Sequence, residues 1–152
     1  MTTSALKSEA VEAWQLLQKV YQTIYRELQK DFYDKGITTA QFEVLMELTK
    51  HRELPMWKIG NLLSVTGGNV TGLIDRLEKK GLVVRKRSDK DRRMIMAGIT
   101  SQGDSVFGKV RGEFEHRLEE ALSGLGNGEL GKFNRTLDKL YRELKTVKIT
   151  TI

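Results

Sequence analysis

The chain has 152 residues, enough for one ordinary domain with a sizeable core, and its 26 Lys and Arg against 20 Asp and Glu leave a net charge of +6. The absence of Cys excludes disulfides, thiolate metal sites, Cys nucleophiles and thiol redox sensing. No apolar run approaches the length of a membrane span, and MTTSALKSEAVEAW lacks the basic-then-apolar layout of a secretory signal, so a cytoplasmic protein is expected.

From Leu6 onward, Ala10, Ala13, Trp14, Leu17, Val20, Tyr21, Ile24, Tyr25, Leu28 and Phe32 recur at steps of three or four. This spacing predicts a long amphipathic helix ending near Lys35 and Gly36. Its stripe is bulkier than a short surface helix needs and can pack on the domain or on a second subunit. Thr38 followed by Gln41 fits a capping box, and Phe42, Leu45 and Leu48 make the buried face of a second helix ending near His51. Pro55 interrupts the pattern. A shorter helix over Met56 to Leu63 turns Ile59, Leu62 and Leu63 inward, and Ser64-Val65-Thr66 leads tightly into the next. Two short helices joined this closely, the second small and polar at its start, have the layout of a helix-turn-helix.

The stretch from Thr66 to Thr100 reads as helix, glycine stop, strand, charged tip, strand. Thr66 is placed to cap, and Val70, Leu73, Ile74 and Leu77 share one helical face. Gly81 supplies the C-terminal stop. Leu82 to Ser88 and Met94 to Ile99 suit two short strands, with Asp89-Lys90-Asp91-Arg92 as the loop. Nine basic residues against three acidic ones fall between Arg76 and Arg93, so this segment carries the whole +6 and the remainder is neutral. Such concentration is the footprint of a surface that meets phosphates; a solvated charged face is the competing reading.

Thr100 or Ser101 can cap a fifth helix with Val106, Val110, Phe114, Leu118 and Leu122 every four residues, ending at Gly124. Asn127 can cap a last helix carrying Leu130, Phe133, Leu137, Leu140, Tyr141, Leu144 and Val147 on one face.

Little in the chain supports catalysis. Gly126-Asn127-Gly128-Glu129-Leu130-Gly131 matches a dinucleotide fingerprint in letters, but it follows a helix where the motif needs a strand, so it reads as a turn. His51 and His116 stand apart, without carboxylates at metal-ligand spacing. No nucleophile, base or metal grouping can be assembled, and neither an enzyme, a cofactor nor a metal is expected.

A nucleic-acid surface divides by position. Gly68, Asn69, Thr71 and Gly72 leave backbone able to approach a major groove, where Asn69 and Thr71 can hydrogen-bond base edges. Arg76, Lys79 and Lys80 lie where they could meet phosphates or pair with acidic neighbours, and Arg85, Lys86 and Arg87 extend the basic surface along the first strand. Arg92 and Arg93 on a narrow projection can enter a minor groove, with Asp91 fixing the direction of Arg93. Edge charge that prevents strand-to-strand pairing competes for Lys86 and Lys90.

The order of elements, with Asn69-Val70-Thr71, Leu73-Ile74-Asp75-Arg76-Leu77-Glu78-Lys79-Lys80-Gly81-Leu82-Val83, Asp91-Arg92-Arg93 and Ile99-Thr100-Ser101-Gln102-Gly103, resembles the MarR (multiple antibiotic resistance regulator) family over nearly the whole chain. The resemblance implies a mainly α fold with a small β-hairpin wing, a winged helix-turn-helix over 36–100, and dimerisation helices over 1–35 and 101–152. It implies a homodimer on double-stranded DNA with a pseudo-palindromic operator, acting as a repressor released by a small aromatic or amphipathic effector. Thr66 to Arg76 would be the recognition helix. The effector pocket would draw on Trp14, Tyr21, Tyr25, Phe42 and Met46, although at helical spacing such residues also serve simply as core. Gly72 departs from the family, many of whose members carry Arg there. Two other readings stay open: an architectural or non-specific nucleic-acid binder without an effector, and a protein-interaction module in which the basic hairpin is incidental.

Overall fold

The computed structural model describes residues 3–146. Val147 of the expected last stripe lies outside them, and the side chains of Leu6 and Asn127 lie outside the described ones. The elements are α1 (Thr3–Asp34), α2 (Thr39–His51), β1 (Glu53–Pro55), α3 (Met56–Leu63), α4 (Gly67–Lys79), β2 (Val83–Arg87), β3 (Ile95–Ile99), α5 (Ser101–Leu122) and α6 (Asn127–Thr146). The chain divides into two compact units between residues 115 and 116. No helix among the described residues is long and apolar enough to cross a membrane.

In the first unit the core forms where the apolar faces of α2 and α4 meet. Phe42, Val44, Leu45 and Leu48 of α2 are buried with Val70, Leu73, Ile74 and Leu77 of α4, and Leu28 and Phe32 of α1 join them. Phe42 sits at the centre of an aromatic group, its ring centroid 4.7 Å from that of Phe32, 5.3 Å from Phe107 and 4.9 Å from Phe114. The expected α5 stripe of Val106, Val110 and Phe114 faces this core, but Phe107, outside that four-residue repeat, is buried more deeply than Val106 or Phe114.

The local stops follow the sequence closely. Thr38 and Gln41 form the expected capping box: the Gln41 N–H donates to Thr38 Oγ1 and the Thr38 N–H to Gln41 Oε1, each at 3.2 Å. At the end of α4, Gly81 takes φ +71. Its N–H donates to the Glu78 carbonyl, and the Leu82 N–H reaches back to Leu77, both of these leucines being buried. This Schellman arrangement needs a left-handed residue, which glycine alone adopts without a Cβ penalty.

Three expectations change. Thr66 stands at the N-cap of α4 but makes no side-chain capping bond; its carbonyl accepts from Val70 N–H. Leu62 is 47% exposed, so α3 packs inward through Ile59 and half-buried Leu63. The hairpin is the larger part of a three-stranded antiparallel sheet in the order β1-β3-β2, because Glu53-Leu54-Pro55 pairs with Gly98-Ala97-Met96. Proline is tolerated there because β1 is an edge strand.

The hairpin is anchored at its base by a small polar node. Thr100 Oγ1 donates to the Gly81 carbonyl at 2.7 Å and accepts from Gly103 N–H at 3.0 Å, so one hydroxyl joins the α4–β2 turn to the start of α5. Thr100 N–H donates to Leu82 O at 3.1 Å. Gly103 is buried against this turn, and a Cβ there would overlap the Leu82 carbonyl and come within 2.8 Å of Ile99 Cγ1. Gly103→Ala is therefore expected to destabilise the fold by about 1–3 kcal/mol, as overpacking of a filled site does, read as a lowered urea midpoint. An unchanged midpoint would show that the turn yields freely.

In the second unit, α6 carries Phe133, Leu137, Leu140, Tyr141 and Leu144 on one exposed face. The helix begins at Asn127, and the Gly126 N–H donates to Glu129 Oε2 at 3.1 Å, so Gly126 stands at the cap expected of Asn127. The fingerprint-like glycines thus form a turn and the first helical residues, with no strand before them.

Candidate nucleic-acid interface

The buried residues Val70, Leu73, Ile74 and Leu77 fix which side of α4 faces outward. That outward side presents Gly68, Asn69, Thr71, Arg76 and Lys79, all exposed, with half-buried Gly72 and Asp75 among them. Thr71 Oγ1 donates to the Gly67 carbonyl at 3.0 Å. Its hydroxyl hydrogen is thereby used, which leaves acceptor lone pairs for an outside donor. Thr66 and Asn69 are exposed, and neither side chain makes a hydrogen bond with another described residue.

The basic residues separate into two groups. Arg85 is held inside the protein: Nη1 pairs with Asp75 Oδ1 at 2.5 Å and Glu78 Oε2 at 3.2 Å, Nη2 donates to the Thr71 carbonyl at 3.1 Å, and its own N–H donates to Glu78 Oε1. Thr71, Asp75 and Glu78 lie at i, i+4 and i+7 on α4, so β2 is fastened along one line of that helix. The Arg85 side-chain donors are thus directed at α4. Lys80 is likewise redirected, its ammonium donating to the Gly36 carbonyl at 2.5 Å and Gln41 Oε1 at 3.2 Å. Lys86 pairs with Glu53 across β3 at 2.5 Å, and that bond raises its pKa.

Arg76, Lys79, Arg87, Lys90 and Arg92 form the second group, exposed and without an ion pair to another described residue. At the tip, Ser88 Oγ accepts from the N–H groups of Lys90 and Asp91, and Met94 N–H donates to Asp91 O, which folds the loop tightly. Asp91 accepts from Arg93 through Nε at 3.2 Å, Nη2 at 3.4 Å and the backbone N–H at 3.0 Å. These bonds, the side-chain ones first, hold the Asp91 carboxyl below the usual carboxylate range. The pairing is therefore lost as pH falls through that lowered pKa. The Arg93 side chain is 92% exposed, so it projects outward with its direction set by a neighbour two residues away.

The residues expected around an effector do not share one pocket. Phe42 and Met46 line a cavity of 240 Å³ between α2 and α5 with Thr49, Lys50, Phe107, Arg111, Phe114 and Glu115. Tyr21 and Met46 line another of 270 Å³ with Glu43, Glu47, Leu62 and Leu63, where burial raises the Glu43 carboxyl. Tyr25 stacks on Tyr21, and its hydroxyl accepts from Thr39 Oγ1 at 2.8 Å, while Trp14 is exposed on α1 and lines neither cavity. Among the described residues no group of three or more His, Asp or Glu is placed to hold a metal ion.

The different duties of Arg85 and Arg87 are separable by salt dependence. Arg87→Ala is expected to lower the slope of log affinity against log salt on duplex DNA by about one, as loss of a phosphate contact does. Arg85→Ala is expected to leave that slope unchanged while lowering stability by about 1 kcal/mol, its partners being partly exposed. A reduced slope for Arg85→Ala would return it to the phosphate contacts.

Comparison with known proteins agrees with this geometry. Residues 37–95 match the model of the MarR family. The chain is 33% identical over 130 residues to the HTH-type transcriptional repressor MdtR of Bacillus subtilis (strain 168), covering 86% of this chain and 84% of that protein. The HTH-type transcriptional regulator MhqR of the same organism is 26% identical over 82% of this chain and 86% of its own length. A MarR mutant from E. coli in complex with operator DNA superposes with a TM-score of 0.79 at 26% identity, over 87% of this chain and 95% of that one. The transcriptional regulator BldR from Sulfolobus solfataricus shares the fold, at a TM-score of 0.82 and 24% identity over 97% of this chain and all of the other. Its helix-turn-helix, its hairpin and these likenesses together place the chain in the MarR family.

Proposed function

We propose that the protein is a homodimeric, sequence-specific DNA-binding repressor, released from a pseudo-palindromic operator by a small aromatic or amphipathic ligand, and acting by binding rather than catalysis. One observation carries the reading: the exposed face of α4 stands beside a hairpin whose Arg87 and Arg92, like Lys79 on the helix, have no ion pair within the described residues. The E. coli relative bound to operator DNA and the repressor MdtR supply the class of activity.

In this reading the N-terminal half of α4 enters the major groove, where Thr66, Asn69 and Thr71 meet base edges and Gly68 allows close approach. Lys79 and Arg87 neutralise phosphates. Arg92 and Arg93 reach the minor groove, Asp91 restraining Arg93 so that less rotamer freedom is lost on binding.

A second copy of the chain is the partner that suits the remaining surface. Trp14, Leu17, Val20 and Tyr21 of α1 are exposed, as are Phe133, Leu137, Leu140 and Leu144 of α6. Apolar faces of this extent mark interaction surfaces. Residues 1–35 and 101–152 are assigned to dimerisation on that basis. The aromatic cavity lined by Phe42, Met46, Phe107 and Phe114 supports effector binding: a dry cavity of about 150 Å³ admits benzene, and this one measures 240 Å³. A ligand there would sit between α2, which packs on the DNA-binding helices, and α5.

Footprinting on the DNA upstream of the gene tests the reading. Two symmetric half-sites about 10 bp apart, centre to centre, are expected, with affinity about a thousandfold or more above random duplex at equal salt. A single unsymmetrical half-site, or equal affinity for random duplex, would overturn it. Within that assay, Arg93→Ala should weaken binding most on operators with A·T-rich flanks, and Asp91→Asn should do so to a smaller degree. Arg93→Ala that binds such operators as tightly as the parent protein contradicts the minor-groove role.

A further inference from the structure

The outward face of α4 has a bare centre line. Val70, Leu73, Ile74 and Leu77 point into the core. Opposite them, at 100° per residue, lie Gly68 and Gly72, one turn apart. No atom comes within 4 Å of a Cβ built at Gly68. At Gly72 one side chain does: Arg76 places Nη1 3.4 Å, Nη2 3.9 Å and Cζ 4.0 Å from that position. The guanidinium therefore lies in the space a side chain at residue 72 would occupy. This is the direction helix geometry favours, because side chains lean toward the helix N-terminus and cover the residue one turn earlier.

Arg76 is also chemically free. Asp75, its neighbour in sequence, pairs with Arg85 instead, and Arg76 makes no hydrogen bond or ion pair with any described residue. All five of its donors are available in a planar fork that lies over Gly72, one turn before its own Cα.

Resting on the DNA-binding reading above, we propose that Arg76 is a base-reading residue: its guanidinium, laid over Gly72, donates two hydrogen bonds to O6 and N7 of a guanine in the major groove. The two glycines let the helix backbone come closer to the base edges than any side chain there would permit. The fork reaches the bases across the resulting gap, and the same residue gives up the phosphate contact that its sequence position implies. Each operator half-site then contains a G·C pair under the middle of α4, a position at which an ammonium in place of the fork discriminates poorly.

The test is selection from a randomised duplex pool by the full-length protein and four variants, followed by affinities for every substitution of the selected site at fixed salt. Arg76→Lys keeps the charge and removes the fork. It is expected to lose about 10- to 100-fold of discrimination at one G·C pair per half-site, with the salt slope unchanged. Gly72→Leu, which fills the slot with a good helix former, is expected to lose the same preference. Gly72→Ala fits beneath the guanidinium and is expected to keep it, with a helix stabilised by the glycine replacement. If Arg76→Lys retains the parent preference at every base pair, or if Arg76→Ala reduces the salt slope by about one and affects all duplexes alike, Arg76 is a phosphate contact and the assignment falls. A parent protein that selects no sequence overturns the regulator reading and this assignment together.

Discussion

Arg85 fastens the hairpin to the helix that it accompanies. A two-stranded projection by itself has little to hold its angle, since a hairpin is marginal in water without a further strand or a packed face. Here the guanidinium bridges Asp75, Glu78 and the Thr71 carbonyl, three points along one line of α4. At the other end of the hairpin, Thr100 ties the α4–β2 turn to the start of α5. Between these clamps β3 gains a second neighbour in β1, whose Glu53 also receives Lys86. The helix face and the hairpin are thus tied to each other at two places, as the proposed contact with two grooves of a duplex requires.

The same arrangement explains how a segment of high charge holds together. Of its nine basic residues, Lys80, Arg85 and Lys86 are engaged with carbonyl and carboxylate groups of the protein. Arg76, Lys79, Arg87, Lys90 and Arg92 are left facing outward. Arg93 belongs to both groups, paired with Asp91 yet almost fully exposed. A carboxylate beside an arginine proposed to meet DNA carries an electrostatic penalty near phosphates, and against it stand three bonds from Arg93 to the Asp91 carboxyl, which set the direction of the side chain.

Function at this scale also needs spacing and release. The apolar residues of α1 and of α6 are exposed, and the dimeric reading proposed above assigns them to a second copy of the chain. The aromatic cavity adjoins the Phe32, Phe42, Phe107 and Phe114 group, so a ligand entering it meets side chains on which α1, α2 and α5 all pack. Close-packed groups of this kind respond to an inserted ring by moving as units and not by local yielding.

Helix periods, the Thr38–Gln41 box, the Gly81 stop and the localisation of the basic excess were all legible in the sequence, because each depends on residues within about one turn of one another. Asp91 and Arg93 were legible for the same reason, being two residues apart. The third strand was not, since three residues including Pro55 carry no periodicity and pair only because β3 offers an open edge. Nor were the duties of Arg85 and Lys80, whose partners lie up to 44 positions away: in the sequence both were simply basic residues in a basic run. Asp75 and Glu78, three apart on one helix face, were the available signal for Arg85. Trp14, Tyr21, Tyr25, Phe42 and Met46 share a helical spacing but diverge in space, because burial depends on which helix crosses which. The sequence by itself determined the helices and the hairpin, the Thr38–Gln41 box, the Gly81 stop and the site of the charge, which local sterics and periodicity specify. Only the tertiary structure decided which of those charges remain free, because an ion pair is a property of distance in space.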